Sequence, residues 1–522
     1  MPAPRYILTE NQMGAPGVYV LERAPAVPIR GQRNRVVGFV GQCVRGPVGV
    51  PVLCDTYQRF LDVFGGRDKA TNGGAILGHV WKALQGKYWG RFYVARAAAA
   101  AAVKASFTLE DAAGGAGVAV LRVDAASPGT WGNDVGIKVV AATNGDADAF
   151  NLLVRLYGKV TIYENIKIET GFDNTNVVIG NDHATLIRLA KLADGRPVNN
   201  AASTDGADAD GYVKLGQVVA SYTSVAGTDG AIADGDYTGA AGPMEAIDAM
   251  AGIHACAVVG LSNVAIKTKI EELAGATTQR VWFACPDDET VTYTAAVTER
   301  AGFNTDRMSY WFNHVKLTDP VTREEILEEP FLYPMSIISQ TDPDVHPGDV
   351  DNAPLTRAAR GVYLELSNPV RDALDRGGVS FMLRDVDAQG NEVVIPGNAL
   401  TCDFTVNNKD LDGRYMKDFI LDAVARRLQG DQFKGNTAGN RAARASAVSS
   451  FLEGLANNER YIMKDERSGR PLFDYANGAS VNNLAENAVG LQRELLIARL
   501  IPKNIQILLQ ATIGTDAVVS EQ

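Results

Sequence analysis

Two aspartate-rich strings, STDGADADGY at 203–212 and AGTDGAIADGDYTGA at 226–240, carry the densest sets of oxygen ligands in the chain. Carboxylates such as Asp205, Asp208 and Asp210, or Asp229, Asp234 and Asp236, are the ligand type a hard cation takes. Neither string has the spacing of a calcium loop or its closing bidentate glutamate, so solvated Asx and glycine turns are the better reading. GHVWKALQGKY at 78–88 comes nearest to a phosphate-binding loop, but its glycine spacing is wrong and Tyr88 stands where a magnesium-binding Ser or Thr is needed. GGVSFML at 377–383 lacks the second glycine of a nucleophile elbow. His79, His183, His254, His314 and His346 stand far apart, with no HExxH among them. The five cysteines are scattered and form no CxxC pair, which argues against a zinc site or a disulfide scaffold. The residues point to no catalytic step, no metal and no cofactor.

Composition agrees with a large folded protein. With 522 residues, 46% hydrophobic and 21% charged, the chain can build several cores. Its 50 Lys and Arg against 61 Asp and Glu leave a net charge of -11, unsuited to a general nucleic-acid surface. The opening MPAPRYILTENQMG has no apolar h-region and no run of 18 apolar residues occurs, so neither a signal peptide nor a membrane span is expected.

The elements that would position these residues fall into blocks. Residues 1–35 are rich in Pro, Gly and Arg and read as an arm with one strand, PGVYVLE, whose pairing residues are Val18, Tyr19, Val20 and Leu21. Residues 36–103 alternate strand and helix: a strand pair around a Gly-Pro turn, a helix opened by Asp55 and stopped by glycine, a second helix with Ile76, Val80, Trp81 and Leu84 on one stripe, and the strand GRFYVARA. Residues 104–240 turn β-rich and hold 17 acidic and 10 basic residues, as expected of a solvated, outward module. There VTIYENIKIE predicts one face for Val160, Ile162, Ile166 and Ile168. Residues 241–392 resume the α/β alternation, so the β-rich stretch reads as an insertion. Residues 393–513 form a third unit with two long helices, the first carrying Met416, Phe419, Ile420, Val424 and Leu428 on one stripe. The unit closes on the strand NIQILLQATI, with Ile505, Ile507, Leu509, Ala511 and Ile513 on one face, and a tail at 514–522 follows. The fold class expected is multi-domain α/β (α+β).

PGVYVLE, VVGFVGQCVRGPVGVPVLCDTYQRFLDVFGG at 36–66, SPGTWGNDV at 127–135 and GTDGAIADGDYTGA at 227–240 occur in an order that resembles the signature stretches of contractile tail sheath proteins, across nearly the whole chain. The resemblance implies a central α/β domain interrupted by an outward insertion, an inner C-terminal domain facing a tail tube, and arms that exchange strands between subunits. It implies a subunit that polymerises helically around the tube in a metastable extended state and contracts, as a six-fold stack of rings meeting tube, baseplate and tail-terminator proteins. It would be assembled in a bacterial cytoplasm and carried in the tail of a phage virion or of a headless injection system. No nucleic acid and no membrane insertion are implied.

Residue roles follow in the same spirit. The terminal strands would pair between subunits, and Lys434, Arg441 and Arg444, which lack acidic neighbours in sequence, would face the tube. Cys43, Cys54, Cys256, Cys285 and Cys402 could bridge subunits in an oxidising medium. The rival from another class is an Asp-rich secreted binding protein or glycan-active enzyme, with the β-rich stretch as its ligand module.

Overall fold

The structure, a computed structural model, describes residues 5–7, 19–21, 36–66, 92–112, 117–219, 222–250, 252–276, 280–318, 323–349, 359–386, 392–403, 405, 409–429, 438–458, 460–476 and 495–500. The helix expected around Ile76 to Leu84 and the strand expected at 504–513 lie outside these residues. The chain divides into two compact units, Arg33–Arg414 and a second made of Met1–Gln32 with Tyr415–Gln522.

The larger unit is built on an eight-stranded sheet ordered Glu392–Pro396, Ser380–Val386, Met308–Phe312, Val281–Ala284, Ile253–Val258, Val36–Gln42, Phe92–Ala97, Val52–Cys54. The six inner strands run parallel and the two edge strands antiparallel. Strands such as VVGFVGQ and VWFA read as unbroken apolar runs because helices cover both faces of a parallel sheet. Val40, Cys256, Trp282, Tyr310 and Phe312 lie in its main core. At Gly38 an added Cβ would come within 3.0 Å of Ile247, which is why the helix Pro243–Asp248 can sit so close. The helix after the Gly-Pro turn spans Tyr57–Phe64 and is capped by Thr56, not Asp55: the Thr56 side chain accepts from the Arg59 backbone N–H at 3.1 Å. Gly65 ends it at φ 84°.

Between Phe92–Ala97 and Ile253–Val258 the chain builds a β module of two antiparallel sheets. One holds Phe172–Asp173, Lys159–Glu169, Ala149–Leu156, Gly136–Ala141 and Val213–Lys214; the other holds Ile187–Lys191, Ala119–Ala125, Ser106–Glu110 and Ser224–Val225. Phe107, Val123, Ile137, Phe150, Val154 and Ile166 form one core between them.

The strand Lys159–Glu169 departs from the expected alternation. Its register against Ala149–Leu156 slips between Tyr163 and Ile166, and Asn165 adopts φ 56°. The bulge inverts the pleat, so Ile166 and Ile168 are buried while Val160 and Ile162 are exposed.

The boundary expected at Val393 also moves. Glu392–Pro396 is an edge strand of the central sheet, and the division between units falls at Arg414 and Tyr415. The helix Leu411–Gln429, within whose first turn that division falls, and the helix Ala438–Asn457 supply Met416, Ile420, Val424, Val448, Leu452 and Leu455 to the core of the smaller unit, which Tyr461 and Ile462 complete. The strands Phe473–Ala476 and Leu495–Ala498 pair antiparallel there as a sheet of two.

Candidate functional site: a buried arginine junction and the terminal strands

Three of the stretches singled out in the sequence meet around Arg96, the last charged residue of the apolar strand Phe92–Ala97. The residue is 4% exposed, and among the described residues no carboxylate is hydrogen-bonded to its guanidinium. Instead Nε donates to the Cys43 carbonyl at 3.0 Å, Nη1 to the Gly46 carbonyl at 3.1 Å and to Ser127 Oγ at 3.3 Å, and Nη2 to the Pro128 carbonyl at 3.0 Å. Burial pulls its pKa below the ordinary arginine value, opposed by Cys43 and Asp229. One side chain thus ties the loop after Val36–Gln42 to the start of SPGTWGNDV.

The aspartate-rich string 227–240 closes the same junction. Asp229 accepts from the Thr130 backbone N–H at 3.0 Å and from its hydroxyl at 2.7 Å. Asn133 and Gly227 exchange two hydrogen bonds, of 2.7 and 2.9 Å. Gly129 sits at φ 133°, and a Cβ there would lie 2.9 Å from Asp229. Asp236 accepts from the backbone of Ala233 and Ala100, and Asp234 from Asn263. In the other string Asp208 and Asp210 both hold Arg155, whose guanidinium lies 4.0 Å from the Tyr212 ring centroid. These carboxylates satisfy the chain's own donors, and among the described residues no group of three His, Cys, Asp or Glu is placed to hold a metal.

Doubly wound sheets hold ligands at the carboxyl ends of their strands. Here that edge is occupied by the protein itself. Glu329 accepts from the Gly260 backbone N–H at 2.6 Å, Gln42 donates to the Tyr237 hydroxyl at 3.3 Å, and Ser262 touches Cys285 at 3.3 Å. The buried Lys267 is held by Asp287 at 2.8 Å and by Glu299, which also accepts from Tyr310. The arrangement fixes loops against strands and leaves each of these groups engaged.

All five cysteines are free and buried, which corrects their expected role as inter-subunit bridges. Burial pushes the thiols of Cys43, Cys54, Cys256 and Cys402 up to about 12 and that of Cys285 higher still. Arg444 is likewise corrected as a tube-facing group. It is 6% exposed because it shares a helix face with Val448, Leu452 and Leu455. Arg441 is half-buried one turn earlier, and Lys434 lies outside the described residues.

The opening strand is described over Tyr19–Leu21, where it pairs in parallel with Arg5–Ile7 of the same chain, Arg5 opposite Tyr19 and Ile7 opposite Leu21. Val18 and the set Ile505, Ile507, Leu509, Ala511 and Ile513 lie outside the described residues. Arg96 was the feature that sequence reasoning missed. Its signal was a lone arginine inside the apolar string FYVARA.

No protein-family model and no curated protein sequence matches the chain. The fold does match solved structures. It aligns with the sheath tail protein of Listeria innocua at a TM-score of 0.59 and 14% identity, over 90% of this chain and 96% of that one. The sheath tail protein of Desulfitobacterium hafniense aligns at 0.55 and 12%, over 93% of this chain and all of the other. The helical sheath of the anti-feeding prophage, in its contracted state, aligns at 0.54 and 11%, over 96% and 99%. The chain therefore has the fold of contractile tail sheath proteins, at identities where the likeness is one of fold.

Proposed function

We propose that the chain is the structural subunit of a contractile tail sheath. The observation that carries this reading is a shared fold that takes in more than nine-tenths of the chain and the whole of a sheath tail protein. Subunits would stack in six-fold rings around a tail tube, with a baseplate at one end and a terminator at the other, in a phage tail or an extracellular injection system. The extended lattice is metastable, and contraction drives the tube through a target envelope. In this reading the β module is an outward insertion and the smaller unit faces the tube.

The terminal segments would join neighbouring subunits. A parallel pair of three-residue strands and an antiparallel pair of four are both smaller than sheets that stand alone in water. Among the described residues no third strand joins either pair, and an open strand edge is a template for a further strand through main-chain groups rather than particular side chains. Ile497 of the second pair is exposed, offering an apolar anchor beside that edge. Each added hydrogen bond contributes about 0.5 to 1.5 kcal/mol, multiplied over every subunit. The free energy of contraction comes from interface gained, at about 25 cal/mol per Å² of apolar surface before the costs of association.

Negative-stain microscopy of the purified chain tests the reading. Hollow tubes are expected. Particles of single-chain size at every concentration and ionic strength would contradict it.

A further inference from the structure

The β module is fastened to the central sheet at two places of opposite character. The first is the buried Arg96 junction, whose donors are shared among carbonyls of both parts. The second is exposed. Arg59, on the helix Tyr57–Phe64, grips Asp182 of the β module in a fork, Nη2 to Oδ1 at 2.8 Å and Nη1 to Oδ2 at 3.2 Å. The Asp182 side chain is 57% exposed. Lys159, at the tip of the hairpin beside it, stands 3.8 Å from Asp62 on the same helix and is 80% exposed.

Between the two fastenings the surfaces leave a gap that Arg45 spans, 5.9 Å from the Trp131 ring centroid. A small open cleft lies there, lined among others by Arg45, Val63, Ser127, Trp131, His183 and Arg188. Two chain crossings, 98–105 and 226–242, connect the parts, and alanine and glycine dominate both.

We propose that Arg59 and Asp182 form a releasable latch, with the Arg96 junction as its pivot, so that the β module takes a latched and a swung-open position on the central sheet. The physics separates the two contacts. A solvated ion pair is held by little and weakens with salt, whereas stripping a buried guanidinium from several carbonyls orphans each of them. Opening on the latch side parts the Arg45 guanidinium from the Trp131 ring, whose centroid is 5.9 Å away, and widens a cleft that is already there. Release therefore occurs at the exposed end, while Arg96 keeps its partners.

Spin-label distances in the full chain test this. Val177, on the β module, and Val264, on the central part, are 82% and 69% exposed and accept cysteine for labelling, while the five native cysteines are buried and take no label. Labelled chain is diluted into unlabelled chain so that only distances within a subunit are read. Two distances are expected, with the latched one losing population as salt rises. Asp182→Asn should lower the latched-to-open ratio by up to about five-fold, the range of an exposed pair. Reversing the pair with Arg59→Asp and Asp182→Arg should restore both the ratio and its salt dependence. A single distance unmoved by salt and by Asp182→Asn would overturn the proposal. So would a shift that the reversed pair leaves in place, since the effect would then belong to the bond Asp182 accepts from the Ala184 backbone N–H.

Discussion

Arg96 concentrates at one residue what holds the two parts of the larger unit together. Arg96→Met keeps much of the side-chain volume but leaves the carbonyls of Cys43 and Gly46 without this donor, while Pro128 keeps the Trp131 indole N–H at 3.3 Å. Each orphaned acceptor costs about 1 to 3 kcal/mol, so with two of them chemical denaturation should register a loss of about 2 to 6 kcal/mol, large for a single substitution. The thiols give a pH prediction. Their folded pKa values, about 12 for Cys43, Cys54, Cys256 and Cys402, lie above the ordinary 9.0. The unfolded chain therefore releases these protons first as pH rises, so stability is intact below pH 9 and falls between about 9 and 12. A thiol-reactive chromogenic reagent should find none of the five in the native protein at pH 8 and all of them in denaturant. These roles were hidden in sequence because burial decides them: Arg96 looks like any strand arginine, and Arg444 reads as a free cation until its helix face is known.

At the scale of elements, the hairpin Ala149–Leu156 with Lys159–Glu169 shows how far a pattern can be read. The apolar residues 160, 162, 166 and 168 are spaced for one face, and the bulge before Ile166 puts them on two. Ile166→Ala should cost about 2 to 5 kcal/mol because a fully buried side chain leaves a cavity, whereas Ile162→Thr should stay within about 0.5 kcal/mol. Equal losses in urea unfolding would contradict the inverted pleat. Strongly apolar elements were legible, including the strands Val36–Gln42 and Ile253–Val258 and the stripe of Met416, Ile420 and Val424. What was not legible depended on contacts distant in sequence. The pairing of Glu392–Pro396 with Ser380–Val386 carried the domain boundary past Val393, and a backbone shift at Asn165 has no mark in composition. The helix cap moved by one residue, from Asp55 to Thr56, where two good capping types stand side by side.

For the whole molecule, a fold shared with sheath tail proteins comes with terminal strand pairs of three and of four residues, smaller than sheets that stand alone in water. In the single chain Tyr19–Leu21 has Arg5–Ile7 as its mate over three residues, and among the described residues no third strand joins the pair. A polymer built through the edges of such pairs depends on the first strands more than the fold of the larger unit does, since Arg33–Arg414 has its own core. Sedimentation velocity on the full chain and on a chain lacking residues 1–21 puts this dependence to the test. The account predicts fast-sedimenting polymer for the full chain, and single folded subunits with an unchanged denaturation profile of the larger unit for the shortened one. Polymer of equal size and yield from both would contradict it.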